Sequence, residues 1–437
     1  MLKRKIEKEL YNWKMDKGHK PLIVKGLRQS GKSYSVLEFA NKNYANVIYI
    51  NFQTNEDYKK IFENNLDVEN LKMQISAYFT DAKFEEGKTI IILDEIQECS
   101  RARLALKFFK LDGRYDVIAT GSLLGIRGLN DDVTSVPVGY EEELKMFPLD
   151  FEEFLWAMGI NEEIIEELKK CLIEKRKVAE GIHQKMKELL LQYIIVGGMP
   201  EAVQKFIETN NLNDVNKIKA NILSSYKDDM VKYVDVKDKT KINECFESIP
   251  YQLAKENKKF KYNVVKNKAT KNDYAGVLEW LENFGIIKRC FNLTRMEKPL
   301  GAYVEENKFK VYMADIGLLI SMIDENVDKE ILSGNLNIYK GAIYENLYAD
   351  FLIKNEKPLY YFTRETSLEI DFVMNYENEV TLVEVKANTG NAKSLKTVLN
   401  DKKRYDIDKA LKFGDYNIGY VNNVLTLPLY MGFLVKN

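Results

Sequence analysis

Apolar residues in the first third of the chain alternate between short continuous runs and longer stretches with helical spacing. The continuous runs cover residues 21–25, 47–52, 88–93 and 115–119, and such runs are typical of buried parallel strands. Between them, apolar positions recur every three to four residues, which predicts helices over 33–41 and 66–79. Strands and helices in alternation predict a parallel sheet that binds its ligands at the carboxyl ends of the strands.

Helical spacing then becomes nearly continuous, which predicts a change of architecture. Helices are predicted over 150–158, 161–177, 184–196, 201–208 and 214–233, with one break at Gly197, Gly198 and Pro200. Later elements are a helix over 272–283, a strand over 285–291, a helix over 341–353, strands over 368–374 and 381–387, and a helix over 391–399. The whole pattern predicts an α/β protein with four domains, over residues 1–148, 149–235, 236–330 and 331–437.

The composition is that of a globular protein and argues against several kinds of site. With 437 residues, 45% of them apolar, the chain is long enough for two to four domains with packed cores. Two histidines argue against a histidine-ligated metal or a Ser-His-Asp triad, and four widely spaced cysteines argue against a zinc ribbon or a disulfide framework. No apolar stretch approaches the roughly 20 residues that span a bilayer. We therefore predict a cytoplasmic protein without membrane contact.

A complete phosphate-binding motif directly follows the first predicted strand. Residues 26–33 read Gly-Leu-Arg-Gln-Ser-Gly-Lys-Ser and satisfy G-x-x-x-x-G-K-[ST]. In such a loop the backbone N–H groups point at phosphate oxygens, Lys32 supplies positive charge, and the Ser33 hydroxyl can ligate Mg²⁺. The predicted nucleotide-binding residues of the loop are Gly26, Leu27, Arg28, Gln29, Ser30, Gly31, Lys32 and Ser33. The alternative is a glycine turn that binds no nucleotide.

The predicted strand over 88–93 ends in an acidic pair, Asp94 and Glu95. In phosphoryl transfer, Asp94 would hold Mg²⁺ through water and Glu95 would orient and polarise the attacking water; the alternative is a solvated acidic turn. Thr120 and Ser122, at the end of the next strand, are candidates for sensing the γ-phosphate, or else they form an ordinary polar turn. The sequence does not select an arginine finger among Arg28, Arg101, Arg103, Arg114 and Arg127.

Several motifs together resemble those of a family of bacterial and archaeal AAA-type ATPases. Besides the phosphate-binding loop, they are Leu-Asp-Glu-Ile-Gln (93–97), Thr-Gly-Ser-Leu-Leu-Gly (120–125), Val-Pro-Val-Gly (136–139), Phe-Pro-Leu-Asp-Phe-Glu-Glu-Phe-Leu (147–155) and the blocks at 197–203 and 310–319. The resemblance extends over essentially the whole chain and implies ATP rather than GTP. It also implies a P-loop NTPase sheet followed by a helical lid over 149–235 that closes over the nucleotide, or else by a connector bundle without a moving role.

Lysine is concentrated in one segment although the whole chain, with 65 basic and 66 acidic residues, is nearly neutral. Residues 255–271 hold seven lysines and one acidic residue. The neighbouring helices and strand pair predict a winged helix, which the family resemblance supports, and such a module lays a helix in the DNA major groove while lysines neutralise phosphates. DNA is therefore a candidate partner. The alternatives are a solvated lysine face and a winged helix that only pairs domains.

Four charged residues near the C-terminus follow the order found in the PD-(D/E)XK nuclease superfamily. Glu345 lies on a predicted helix, Asp371 on the next strand, and Glu384 and Lys386 share one face of the strand after it. If the two strands pair, Asp371 and Glu384 can hold Mg²⁺, while Lys386 would offset the charge that develops during phosphate cleavage and Glu345 would reach the metal from its helix. This layout predicts an α/β restriction-endonuclease-like domain. The alternatives are a salt-bridged surface strand and a retained fold that does not cut.

These patterns predict an ATP-binding and ATP-hydrolysing protein whose nucleotide state acts on a winged helix and a nuclease-like region, with ATP and Mg²⁺ as cofactors and DNA as the candidate substrate. The predicted catalytic residues are Lys32, Glu95, Glu345, Asp371, Glu384 and Lys386, and the predicted metal ligands are Ser33, Asp94, Asp371 and Glu384. The alternative is a nucleotide-gated scaffold that docks a protein partner through its nuclease-like fold without catalysis. A ring-forming protein remodeller is a third hypothesis.

Overall fold

The computed structural model describes residues 2–123, 139–232, 234, 236–255, 258–323, 327–333, 339–364, 368–386 and 392–435. Arg127, Asn391, residues 124 and 125 of the motif at 120–125, and residues 136–138 of the motif at 136–139 lie outside these ranges. By its contacts the chain divides into two compact units, Lys3–Pro148 and Leu149–Asn437. Within the described ranges, no helix has both the length and the apolar character needed to cross a membrane.

The first unit is built on one five-stranded parallel sheet. Its elements are α1 (Ile6–Met15), β1 (Leu22–Gly26), α2 (Lys32–Asn43), β2 (Asn46–Asn51), α3 (Val68–Tyr78), β3 (Thr89–Asp94), α4 (Ser100–Asp112), β4 (Asp116–Ser122) and β5 (Glu142–Met146), with short 3₁₀ helices at Glu56–Phe62 and Ile96–Glu98. The strand order is β2-β3-β4-β1-β5, and every neighbouring pair is parallel. The predicted α/β fold with a parallel sheet is confirmed.

Helices cover both faces of this sheet. All six residues of β3 are buried, and successive side chains of a strand point to opposite faces. Ile90 and Ile92 therefore pack with α1 and α2 in one core, while Ile91 and Leu93 pack with α3 and α4 in the other. The four residues between Thr89 and Asp94 are all apolar, and Asp94 lies at the carboxyl end of the strand.

The second unit begins with the five helices that the sequence predicts between residues 150 and 233. They are α5 (Phe151–Ala157), α6 (Glu162–Ile173), α7 (Glu180–Val196), α8 (Pro200–Thr209) and α9 (Leu212–Met230). A capping box starts α5: the Glu153 N–H donates to the Asp150 carboxylate at 2.9 Å, and the Glu153 carboxylate accepts from the Asp150 N–H at 3.1 Å. Pro200 occupies the first turn of α8, where no backbone donor is needed.

Three helices and an antiparallel strand pair follow in the chain. They are α10 (Val236–Leu253), α11 (Tyr262–Val265), α12 (Lys271–Phe284), β6 (Ile287–Leu293) and β7 (Val304–Met313), with a short 3₁₀ helix at Leu300–Tyr303. Gly285 ends α12 in the left-handed conformation, with φ of 90°, which glycine adopts without the steric cost of a side chain. The turn into β6 is thus specified by the sequence at this position.

The remaining elements complete two sheets. They are α13 (Ile316–Met322), α14 (Val327–Ser333), α15 (Lys340–Lys354), β8 (Tyr360–Arg364), β9 (Leu368–Ile370), β10 (Phe372–Tyr376), β11 (Glu379–Val385), α16 (Lys393–Asn400), β12 (Lys409–Gly414), β13 (Gly419–Val421), β14 (Val424–Pro428) and a 3₁₀ helix at Leu429–Leu434. One sheet has the order β7-β6-β8-β9 and the other has the order β10-β11-β12-β14-β13. The boundary predicted at residue 330 therefore falls between strands of a single sheet.

The prediction of one continuous strand over 368–374 is wrong, because the structure has two short strands there. The strand is interrupted at Asp371, so that β9 pairs with β8 in the first sheet and β10 pairs antiparallel with β11 in the second. The apolar alternation runs through the break because both short strands contribute to cores, with Ile370 and Phe372 fully buried. At the break, the Asp371 carboxylate accepts a hydrogen bond of 2.8 Å from the Val385 N–H.

A buried group of charges joins the helices of the second unit to its later elements. The Lys354 ammonium lies 2.9 Å from Asp350 and 3.3 Å from Asp315, and it donates to the Tyr193 hydroxyl at 2.8 Å and to the Leu149 carbonyl at 3.1 Å. The charged atoms are shielded from water, since the three ionisable side chains are at most 1% exposed. Buried charges are tolerated only when they are paired and hydrogen-bonded in this way.

Two glycine-containing blocks of the sequence, at 197–203 and 310–319, meet beside this group. A Cβ on Gly197 would lie 2.7 Å from the Gly317 Cα, and a Cβ on Gly198 would lie 2.1 Å from the Leu149 carbonyl oxygen. Asp315 accepts from the Gly198 N–H at 2.7 Å. Glycine is thus required because the backbones approach too closely for any side chain.

We expect Gly198→Ala to destabilise the second unit by about 3 kcal/mol, because the new methyl group would overlap the Leu149 carbonyl, which accepts hydrogen bonds from Lys354 and Tyr193. The free energy of unfolding is measured in denaturant. Gly276→Ala is the control: nothing lies within 4 Å of a Cβ there, and alanine in this helix interior should add about 0.5–1 kcal/mol. Equal stability of the two variants would contradict the packing described here.

We expect Asp350→Asn to remove a pH-dependent loss of stability. Burial raises the pKa of Asp350 to about 7, against the effect of Lys354, whereas the unfolded value is about 3.9. The native state therefore binds the extra proton between these values, and stability falls as the pH rises from about 4 to about 7. As the pH rises through that window, the free energy of unfolding of the variant should increase relative to that of the wild type, by at most about 1.4 kcal/mol per pH unit. Denaturant unfolding at several pH values tests this, with the exposed Asp408→Asn as control.

Candidate functional sites

The phosphate-binding loop connects β1 to α2 at the carboxyl edge of the first sheet. Gly31 and Gln29 have positive φ values of 91° and 58°, so the loop turns back on itself as a phosphate cradle requires. A Cβ on Gly26 would lie 2.0 Å from the Met146 carbonyl oxygen of β5. Glycine is therefore needed at the start of the loop for strand packing, and at Gly31 for backbone conformation.

Lys32 lies inside the loop and is bonded to it. Its ammonium donates to the Leu27 carbonyl at 2.9 Å and to the Gly26 carbonyl at 3.2 Å. Burial lowers the pKa of Lys32 to about 8, although Glu95 and Asp94 oppose that shift. The hydroxyl of Ser30 is buried and has no hydrogen-bond partner. Both side chains are placed where the oxygens of a phosphate would be the natural partners.

Asp94 is the centre of a hydrogen-bond network at the end of β3. One oxygen accepts from the Ser33 hydroxyl at 2.8 Å and from Thr120, and the other accepts from the Asn51 amide at 2.8 Å and from the Tyr49 hydroxyl. Two predicted nucleotide-site residues, Ser33 and Thr120, thus contact the predicted metal-binding aspartate directly. Asn51 and Tyr49, on neighbouring β2, were missed by the sequence analysis.

Glu95 follows Asp94 in a left-handed conformation, with φ of 57°. Its carboxylate accepts a hydrogen bond from the amide of Gln97, which belongs to the same short turn. This conformation is uncommon for a residue with a side chain and is concentrated at functional sites. Ser122 is buried at the end of β4, on the strand next to β3.

Most of the candidate finger arginines are engaged within the first unit. Arg101 donates to the carbonyls of Phe62 and Asn64, both at 2.6 Å. Arg103 pairs with Glu141 at 2.6 Å, and Arg114 pairs with Asp112 and Glu69, each at 2.7 Å. Arg28 belongs to the phosphate-binding loop and is close enough to Lys32 to lower its pKa further. Arg127 lies outside the described residues.

Arg4 forms hydrogen bonds to the backbone of the phosphate-binding loop, and the sequence analysis did not identify it. Its guanidinium donates to the Ser30 carbonyl at 3.0 Å and to the Phe147 carbonyl at 2.6 Å, and the residue is 7% exposed. The loop is thereby tied to the chain that leaves β5. The two contacts join Arg4 to residues 26 and 143 positions further along the chain. The local sequence around Arg4 therefore carries no signal for this role.

The second candidate site lies where β9, β10 and β11 meet. Asp371 is directly beyond the paired residues Phe372 and Val383, which places it beside Glu384. The Lys386 ammonium pairs with one oxygen of Glu384, while the other oxygen is buried without a hydrogen-bond partner. The structure thus brings together three of the four residues that the sequence singles out.

Glu345, on α15, contacts lysines rather than the two other carboxylates. One of its oxygens pairs with Lys258, and the other accepts from Tyr312 at 3.0 Å and lies 3.3 Å from Lys310. Lys310 also pairs with Glu369 at 2.7 Å. The sequence analysis counted Lys258 in the lysine-rich segment, but it predicted no contact of Lys258 or Lys310 with Glu345. Lys310 and Tyr312 are spaced to share one face of β7, but nothing local links them to a helix more than 30 residues away.

Burial and charge shift the carboxyl groups of this site in different directions. Burial raises the pKa of Asp371 well above its usual range, and the charges of Glu345 and Glu384 raise it further. Burial also raises the pKa of Glu384, against the effect of its lysine partner. For Glu345 burial acts the same way, but Lys310 and Lys258 outweigh it and lower the pKa to about 2. The negative charge of Glu345 is thus stabilised by two lysines, whereas the surroundings of Asp371 do not favour its charged form.

The carboxylates fit a divalent cation in part. Asp371 and Glu384 are adjacent and buried, and one oxygen of Glu384 has no hydrogen-bond partner. Hard cations prefer such oxygen ligands. However, in the part of the chain that the structure describes, no group of three or more His, Cys, Asp or Glu side chains is arranged to hold a metal. Two carboxylates with water would therefore be the donor set.

The lysine-rich segment is partly engaged in contacts of its own unit. Besides Lys258, Lys266 pairs with Glu244 at 3.1 Å and Lys271 donates to the Asn307 side chain at 2.5 Å. Lys261 and Lys268 are exposed. The segment is therefore only in part a solvated basic face.

We expect Arg4→Ala to weaken nucleotide binding about tenfold, because it leaves two backbone carbonyls without their donor and loosens the loop. Titration with a fluorescent ATP analogue measures the dissociation constant. Arg4→Lys should fall between wild type and alanine, since one ammonium cannot span both carbonyls as a guanidinium does. Lys8→Ala, which changes an exposed charge on α1, is the control. Unchanged binding by Arg4→Ala would show that the loop does not depend on this contact.

Comparisons with known proteins agree with the first site. Residues 18–155 match the family model described as an AAA domain, and residues 187–329 and 340–430 match two domains of unknown function (DUF8612 and DUF4143). An uncharacterized protein of Haemophilus influenzae is 24% identical over 147 residues, which are 32% of this chain and 34% of that protein. The match thus spans about a third of that relative.

Among solved structures, a Walker-type ATPase of Pyrococcus abyssi aligns with 74% of this chain and 96% of its own, at 13% identity and a TM-score of 0.41. The ORC2 protein of Aeropyrum pernix aligns with 77% and 92%, at 10% identity and a TM-score of 0.35. DnaA of Aquifex aeolicus aligns with 64% and 89%, at 12% identity and a TM-score of 0.30. Because these TM-scores are low, the assignment rests on the AAA family match and on the geometry of the loop. Together they show that residues 18–155 contain an AAA-type P-loop ATPase domain.

Proposed function

We propose that this chain hydrolyses ATP and that its nucleotide state acts on a winged helix and a Mg²⁺-dependent nuclease-like region that works on DNA. One observation carries the ATPase part. The Ser33 hydroxyl and the Asp94 carboxylate are 2.8 Å apart, which brings the two side chains that would share Mg²⁺ to the same point. Lys32 and the backbone of the loop would bind the phosphates beside it.

Each residue of the first site has a distinct role in this proposal. Lys32 offsets the charge of the β- and γ-phosphates, and Glu95 orients the attacking water. Mg²⁺, when bound, neutralises the charge that develops on the phosphate oxygens. Thr120 contacts Asp94 directly, so a change at the γ-phosphate would reach β4 through the aspartate.

The order of elements supports the winged helix. Helices α10, α11 and α12 precede the antiparallel pair of β6 and β7, which is the sequence of elements in such modules. The lysine-rich segment at 255–271 surrounds α11 and reaches the start of α12. Its exposed lysines would contact phosphates, and such contacts make binding dependent on salt.

The nuclease-like assignment rests on connectivity and on charge. Helix α15 carries Glu345, the antiparallel strands β10 and β11 carry Asp371 and Glu384 at adjacent positions, and α16 leads from β11 to the parallel strand β12. The buried and unpartnered oxygen of Glu384, beside Asp371, supports a cation at this point. Lys386 would then face the phosphate that is cut.

ATP turnover and nucleotide binding separate the roles of Lys32 and Glu95. We expect Lys32→Ala to lose ATP binding, whereas Glu95→Gln should bind ATP and lose turnover by about 10²-fold or more, because it removes only the group that polarises water. Phosphate release measures turnover, and equilibrium titration measures binding. The Glu98→Gln variant, which is half-buried like Glu95 and lies in the same turn, controls for a general effect of lost charge. Wild-type turnover in Glu95→Gln would contradict the assignment.

Cleavage assays test the second site. The full chain is incubated with single- and double-stranded DNA and RNA, with Mg²⁺ or Mn²⁺ and with or without ATP. We expect Asp371→Asn to abolish cleavage while ATP turnover is kept, because this carboxylate contributes only to the C-terminal site. Glu377→Gln, an exposed carboxylate at the turn between β10 and β11, is the matched control. If every substrate stays intact with wild-type protein, the nuclease proposal falls.

A specific observation also favours the second candidate function, a nucleotide-gated scaffold. Glu345 is engaged by Lys258, Lys310 and Tyr312, and a carboxylate held in this way is a structural element rather than a metal ligand. In the scaffold, metal would not bind to Asp371 and Glu384, and the chain would retain ATP turnover without cutting any nucleic acid.

A further inference from the structure

We propose that Lys258 is a tethered cation that occupies the Glu345 side of the nuclease-like site, and that a divalent cation binds there only when Lys258 moves away. The inference rests on the proposed metal site and concerns how that site is regulated. It starts from the two oxygens of Glu345. One of them is paired with Lys258, and the other is shared by Lys310 and Tyr312.

The two lysines differ in how firmly they are held. Lys310 belongs to β7, its side chain is 0% exposed, and it bridges Glu345 and Glu369. Lys258 lies in irregular chain between α10 and α11, and its side chain is 18% exposed. Lys310 is therefore a fixed part of the core, whereas Lys258 reaches the site from its rim.

The tether of Lys258 is short and well anchored. Two residues further on, the Phe260 N–H donates to the Phe309 carbonyl at 2.9 Å, and the two rings stack with centroids 5.8 Å apart. The ammonium can thus leave Glu345 by rotation of the lysine side chain, while Phe260 stays on β7. No unfolding of a strand or helix is needed for this movement.

The charge balance of the site explains why one cation excludes the other. Three lysines, Lys258, Lys310 and Lys386, face four carboxylates, Glu345, Glu369, Asp371 and Glu384. Counted with every group ionised, as the two ligands would be around a bound cation, the group carries one net negative charge. Removal of Lys258 leaves two, which a divalent cation would balance. Repulsion between the Lys258 ammonium and a bound cation is stronger in a partly buried site than in water, because the effective dielectric constant is lower.

Position supports the same conclusion. Tyr312, which donates to Glu345 at 3.0 Å, packs its ring against that of Phe372, the residue after Asp371, with centroids 5.6 Å apart. The pair of Lys258 and Glu345 is therefore joined through Tyr312 to a ring that directly adjoins the proposed metal ligand. Lys258 also belongs to the lysine-rich segment, so the metal site and the candidate phosphate-binding surface share this side chain.

Direct metal binding tests the proposal. Mn²⁺ is titrated calorimetrically into the full chain without nucleotide, and binding that disappears in Asp371→Asn is assigned to this site. We expect Lys258→Ala to bind Mn²⁺ at least tenfold more tightly than wild type, and Lys258→Arg to bind it like wild type because the cation is retained. Lys227→Ala controls for the loss of a lysine charge in general, since Lys227 pairs at 2.6 Å with the exposed Glu247 and with no carboxylate of the cluster.

The double variant Lys258→Ala with Asp371→Asn should lose the gained affinity, and thermal unfolding of each variant verifies that it is folded. If wild type and Lys258→Ala show the same Asp371-dependent affinity, the metal site stands and the role of Lys258 is overturned. If neither protein shows Asp371-dependent binding, the proposed metal site itself fails, and the tethered cation fails with it.

Discussion

Ionised side chains that are buried away from water must find partners, and this constraint organises the functional part of each unit. Removing a charge from water costs far more than a typical hydrogen bond returns. Asp94 meets the requirement with four donors, and Lys354 meets it with two carboxylates, a hydroxyl and a carbonyl. Each solution fixes the relative positions of three or more elements, because no single element can supply all the partners.

In the second unit the constraint determines which segments belong together. Lys354 and Asp350 lie on α15, Asp315 precedes α13, and Tyr193 lies on α7. The helices after residue 149 are thereby bonded to elements more than 100 residues further on. The lid suggested by the family resemblance stays a prediction, and any movement of these helices would have to carry α13 and α15 with them or expose the buried charges.

Motifs within short segments could be predicted from the sequence, but contacts between residues far apart in the chain could not. The phosphate-binding loop, the acidic pair after β3 and the order Glu345, Asp371, Glu384, Lys386 are patterns within short segments or along predicted elements. By contrast, Arg4, Tyr49, Lys258 and Lys310 act through contacts with residues from 26 to 143 positions away. From a single sequence, a charged side chain is predicted to be exposed to solvent, because its neighbours in the chain give no sign that it is buried.

The break at Asp371 shows the same limit for the backbone. Apolar alternation continues from β9 into β10 because both strands are buried, so periodicity alone predicts one strand. Only the choice of partner strands separates them, and that choice depends on β8 and β11. The break frees the residue between the two sheets from strand pairing, and its carboxylate turns to the Val385 N–H.

Four acidic and basic residues in the right order do not by themselves make a metal site, because the lysines that the remainder of the fold brings in decide the net charge. Glu345 keeps its charge beside Lys310 and Lys258, whereas burial and like charges favour a protonated Asp371. A cation placed between Asp371 and Glu384 would reverse that preference and stabilise both carboxylates. Whether this fold holds a metal or an internal ion pair thus depends on the charge of a few side chains and not on the motif alone.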